Sequence, residues 1–106
     1  MATVLLDHDR VLDALGHPTR RRIIERLRDG PLAVGELADG LPVTRPAVSQ
    51  HLRVLGRAGL VTSRTEGTRN LYALAPDGLD ELRRWLDGMW GDVLAGFAAH
   101  VREHQA

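Results

Sequence analysis

From Leu41 to Gly59 the apolar positions Val48, Leu52, Leu55 and Gly59 recur at steps of four, three and four. That spacing places them on one narrow stripe of a helix, while Arg45, Ser49, Gln50, Arg53 and Arg57 cover the remaining surface. Thr44 is suited to cap the first turn, Pro46 sits where a missing N–H costs nothing, and Gly59 offers a left-handed stop. Upstream, residues 7–16 predict a short helix with Val11, Leu12 and Leu15 on one side, ended by Gly16 and expected to pack on the last helix. His17-Pro18-Thr19 opens a second helix that turns Ile23, Ile24 and Leu27 inward and stops at Asp29-Gly30-Pro31. Its Arg20-Arg21-Arg22 run reads as a solvated face whose near end can touch a phosphate. Leu32-Ala33 can add one short strand, and Val34–Asp39 makes a brief helix closed by Gly40-Leu41-Pro42.

Downstream, Leu60–Thr65 and Asn70–Leu74 are β-rich runs joined by Glu66-Gly67-Thr68-Arg69, a hairpin signal. Pro76 and Asp77 are expected to open a last helix continuing to about His104, some 40 Å at the usual rise. Its apolar arc from Leu79 to Val101 is wider than one small subunit needs, which predicts a dimer seam through Leu82, Leu86, Met89, Trp90, Val93 and Phe97. A short helix, a tight turn and a longer polar-faced helix followed by a hairpin form a winged helix-turn-helix. The expected fold is therefore mainly α with a small β-hairpin wing, in the order α-α-α-α-β-β-α. Residues 1–106 make one domain, dimeric through the terminal helices, with 77–104 as a long C-terminal dimerisation helix.

Net charge is zero over 106 residues, but its distribution matters more. Residues 1–16 carry −2, residues 17–72 carry ten Arg against five acids (+5), and residues 73–106 carry −3. The basic middle is the part that holds the helix-turn-helix and the hairpin. All fourteen basic residues are Arg, the side chain suited to bidentate phosphate and guanine contacts. The absence of cysteine excludes disulfides and thiolate metal sites, and no apolar run reaches membrane-spanning length. The Met1–Asp13 start has no basic segment and no long apolar block, so a cytoplasmic location is expected. No nucleophile lies beside a base and no glycine loop suits phosphate, which argues against an enzyme.

The runs Leu15-Gly16-His17-Pro18-Thr19-Arg20, Val34-Gly35-Glu36-Leu37-Ala38, Arg45-Pro46-Ala47-Val48-Ser49-Gln50-His51-Leu52-Arg53, Ala58-Gly59-Leu60-Val61 and Glu66-Gly67-Thr68-Arg69 resemble the ArsR family of winged-helix bacterial repressors. The resemblance covers about residues 8–75. It implies a homodimer that blocks a promoter on a double-stranded DNA operator and lets go when an effector, here unidentified, arrives. The DNA-reading positions it implies are Thr44, Arg45, Ser49, Gln50, His51 and Arg53, with the wing arginines Arg64 and Arg69 behind them. The cysteine site of the arsenic- and cadmium-type members is absent, since Leu32-Ala33-Val34-Gly35-Glu36 stands in its place. The zinc-type pattern on the last helix is matched by Asp87, His100 and Glu103, but Met89 replaces the first histidine. A thioether is a poor zinc ligand, so no cofactor is expected. Zinc or nickel control through the remaining three residues is the alternative, as is a winged helix that binds only proteins.

Overall fold

The computed structural model describes residues 7–104; the first six residues of the acidic start lie outside the described residues. The order is α1 (Asp7–Leu15), α2 (Pro18–Leu27), β1 (Leu32–Ala33), α3 (Val34–Asp39), α4 (Arg45–Arg57), β2 (Val61–Glu66), β3 (Arg69–Leu74) and α5 (Asp80–Glu103). This is the expected winged helix-turn-helix with one addition to the expected order. Leu32 pairs with Tyr72 and Ala33 with Leu71, so β1 turns the two-stranded wing base into a three-stranded antiparallel sheet of order β1-β3-β2.

Helices α2 and α4 begin on local chemical signals. Helix α2 starts at Pro18, and the His17 ring Nδ1 accepts from the Thr19 N–H at 3.2 Å. Two arginines of the triple run close the helix before them: Arg20 donates to the Ala14 and Asp13 carbonyls at 2.6 and 3.1 Å, and Arg21 to the Leu15 carbonyl at 2.6 Å. Those carbonyls lack partners within α1, and guanidinium groups suit that end of the helix dipole. Only Arg22 of the three makes no such contact. At α4, the Thr44 hydroxyl accepts from the Ala47 N–H at 3.3 Å. Its far end closes with Leu60 N–H on the Leu55 carbonyl and Gly59 N–H on that of Gly56, both 3.0 Å. This paired closure needs the left-handed φ of +76° that Gly59 supplies.

The core forms where α2, α3 and α4 meet. Ile23, Leu27, Leu37, Val48, Leu52 and Leu55 are buried there, joined by Val11, Ala14, Leu60, Val61 and Leu82. Full burial of such a side chain contributes roughly 1.5–3 kcal/mol each. Helix α1 differs in detail from its expected face: Val11 and Ala14 point inward, whereas Leu12 is 42% exposed. It does pack on α5 as expected, with the His8 ring stacked on Trp85 at 5.2 Å.

Helix α5 begins three residues later than the expected start at Asp77. Pro76 to Leu79 form turns instead, because Gly78 comes so close to Gly59 and Leu60 that a Cβ there would lie 2.8 Å from the Gly59 carbonyl oxygen. The helix then leaves the body of the subunit. Leu82 is buried and Trp85 is half-buried, while beyond them Leu86, Met89, Trp90, Val93, Leu94 and Phe97 are all exposed. The radius of gyration is 18.1 Å, against about 13 Å for a compact domain of this length. Leu82 therefore belongs to the subunit's own core and not to the expected dimer seam.

Candidate nucleic-acid interface

Helix α4 is fixed by its buried stripe, so the opposite side has a defined orientation. Gln50, Arg53 and Arg57 stand exposed and Ser49 is half-buried at the edge. Beside them a groove runs between α4 and the sheet, lined by Ser49, Arg53, Arg57, Thr62, Ser63 and Tyr72. This surface offers hydroxyl, amide and guanidinium donors on one rigid element. That is the chemistry needed for base edges and phosphates.

The expected reading positions do not all share that surface. Thr44 is occupied as the helix cap. The Arg45 guanidinium lies over Gly35 of α3, where an added Cβ would be 3.2 Å from its Nη2. His51 is half-buried and turned toward the start of α2, its ring 4.7 Å from that of His17 and tilted by 50°. Burial first, and then the charges of His17 and Arg20, hold the His51 pKa below its ordinary value. Gln50 and Arg53 are brought into direct contact, Arg53 Nη1 donating to Gln50 Oε1 at 2.7 Å. Val54 is half-buried against the core.

The hairpin turn is tighter than its four-residue signal suggested. The strands pair out to Glu66 and Arg69, leaving Gly67 and Thr68 in the turn, with Gly67 at φ +64°. Both wing arginines have acidic neighbours. Arg64 lies 3.5 Å from Glu66, and Arg69 is hydrogen-bonded to the Glu36 carboxylate of α3. The same Glu36 oxygen accepts from the Ala33 N–H at 3.1 Å. Exposed ion pairs of this kind are worth little, so a phosphate can take the place of either carboxylate. Neither the Glu36–Arg69 pair nor the His17–His51 pair was expected, since each joins segments more than thirty residues apart with no periodicity linking them.

The last helix carries two further features. Leu86, Met89, Trp90, Val93 and Phe97 form the exposed apolar face expected of a seam, extended along the same helix by Leu94. At the far end, His100, Glu103 and His104 bring their ligand atoms within 4.8 Å of one another, all exposed. Asp87 does not join them: thirteen residues of helix separate it from His100, roughly 20 Å. His104 was missing from the expected set although its spacing of four from His100 was available in the sequence. No described helix is long and apolar enough to cross a membrane.

The fold and its surfaces have known counterparts. A family model described as a helix-turn-helix domain matches residues 15–64. The chain is 59% identical over 90 residues to the HTH-type transcriptional regulator Rv2034 of Mycobacterium tuberculosis, covering 85% of this chain and 84% of that one. A solved structure described as a possible transcriptional regulator for arsenical resistance is 44% identical, covers 91% of this chain and 97% of its own, and superposes with a TM-score of 0.70. A second, the homodimeric winged helix-turn-helix DNA-binding domain of Mb0332 from Mycobacterium bovis, described as a possible ArsR-family regulator, is 28% identical. It covers 94% of this chain and 86% of its own, with a TM-score of 0.66.

Proposed function

The chain belongs to the ArsR family of winged helix-turn-helix transcriptional regulators, and on that premise we propose that it is a repressor binding a palindromic double-stranded operator as a homodimer. The observation that carries the reading is the orientation of α4. Its buried stripe locks the helix while Gln50, Arg53 and Arg57 face outward beside the wing. Arg64 and Arg69 follow the backbone on either side of the wing tip, exchanging Glu66 and Glu36 for phosphates. The exposed apolar face of α5 supports the homodimer, because aromatic and aliphatic groups at this density are what the centre of an obligate interface contains. Two recognition helices then meet half-sites about one helical turn apart.

Zinc or nickel does not suit this chain as the controlling signal. The residues at the family's zinc positions fit such an ion poorly: Met89 occupies a histidine position, and Asp87 can meet His100 and Glu103 only across two antiparallel copies. A small molecule, a partner or the protein's own concentration is the favoured type of signal.

The test is a titration of labelled duplex from the region upstream of the gene, against a scrambled duplex of equal composition, in about 150 mM salt. The expected outcome is a preference of at least roughly a thousandfold for the natural sequence. Equal affinity for the two overturns the specific-reader proposal.

A further inference from the structure

Gln50 and Arg53 lie three residues apart on the exposed side of α4, and the 2.7 Å hydrogen bond from Arg53 Nη1 to Gln50 Oε1 changes what each can offer a base. A glutamine free of contacts presents an acceptor and donors side by side, the complement of adenine's N6 amino group and N7. Here one lone pair of Oε1 is taken, and the other lies next to a positive guanidinium. An adenine amino donor approaching that oxygen meets a like partial charge. The groups left free on this edge are the Gln50 Nε2 hydrogens and the unused N–H groups of Arg53, all donors. Guanine presents two adjacent acceptors, O6 and N7, and no donor at that edge, whereas thymine presents a single acceptor.

We infer that Gln50 and Arg53 act as one donor-only reading unit that selects a guanine in each half-site, with Arg53 redirecting Gln50 away from adenine. The inference rests on the DNA-binding reading above and adds its base preference. An intrahelical pair that merely satisfied itself in solvent would break on binding and leave Gln50 to its usual adenine partner. The two cases give opposite base preferences.

A pool of random-sequence duplexes selected separately on wild type, Gln50→Ala and Arg53→Ala protein distinguishes them. Both side chains are exposed, so neither substitution removes core contacts. The expected result is that the position losing discrimination in Gln50→Ala carries G·C in the wild-type pool, favoured roughly tenfold over A·T. Replacing that guanine with 7-deazaguanine weakens wild-type binding, and Arg53→Ala moves the preference at that position to A·T. A wild-type preference for A·T there overturns the inference and leaves DNA binding intact. So does an Arg53→Ala protein that loses affinity with its preference unchanged, or a Gln50→Ala pool identical to the wild-type pool. A wild-type pool without any enriched sequence overturns the DNA-binding reading along with this one.

Discussion

Leucines and aromatic residues serve two opposite purposes in this chain. Around α2, α3 and α4 they vanish from the surface: Leu37 and Leu55 are both 0% exposed. Along the outer two-thirds of α5 residues of the same apolar character remain in the open, Leu94 at 62% and Phe97 at 67%. The first region closes on itself because three short helices and a sheet meet from several directions. The second is a single helix with nothing opposite it among the described residues. Apolar surface left open at this scale marks an interaction site, so one region folds the subunit and the other is the face the homodimer proposal rests on.

That division makes different substitutions fail in different ways. Leu55→Ala should cost roughly 2–5 kcal/mol of folding stability, because the cavity lies between packed helices that relax only partly. A urea midpoint unchanged from wild type would show that the core is looser than its burial suggests. Phe97→Asp should leave the circular dichroism spectrum intact and give monomers by ultracentrifugation at tens of micromolar. Operator affinity should fall with it by roughly a hundredfold or more, since linkage of two half-site contacts is lost. A dimeric Phe97→Asp protein would place the seam elsewhere.

Two histidine pairs sharpen the same comparison, one from each region. His17 and His51 lie between α2 and α4, and burial holds the His51 pKa down. A lowered histidine pKa means that the unfolded chain takes up more protons as the pH falls through the ordinary histidine value. Stability present at neutral pH is therefore lost on acidification. Wild type should lose more stability between about pH 7.5 and about pH 5.5 than His51→Gln does, read as a difference in urea midpoints. Parallel losses in the two proteins would assign the pH dependence to other groups. His100 and His104 have rings 4.1 Å apart at the exposed end of α5, with Glu103 beside them. Stoichiometric zinc or nickel should change operator affinity by less than about threefold, under 1 kcal/mol of coupling. A tenfold change that disappears in His100→Ala would make the protein a metal sensor.

Much of the fold was legible because its signals are local. Thr44 before Pro46, Gly59 at the end of a four-three-four apolar stripe, and Gly67 between β-rich runs each act within a few residues; the first two appear where expected, and the hairpin appears with a turn shortened to Gly67 and Thr68. The late start of α5 was not legible, because it follows from Gly78 meeting Gly59, nineteen positions earlier. The site divides along the same line. Gln50, Arg53 and Arg57 were placed on the outer face of their helix by periodicity alone. Arg45 over Gly35, Arg69 on Glu36 and His51 against His17 depend on which elements become neighbours.

The sequence by itself thus determined the elements, their stops, the polar face of α4 and the apolar face of α5, because helical periodicity and capping act within a turn or two. Only the tertiary structure decided how each face is used. Periodicity places Leu82 and Phe97 on one arc but carries no information about where the helix leaves its own subunit. Helix α1 packs on α5 with His8 stacked on Trp85, and Leu82 is buried in the core, whereas the large apolar residues from Leu86 to Phe97 are exposed. Past that point the same pattern faces outward, because none of the other described elements extends far enough to meet it.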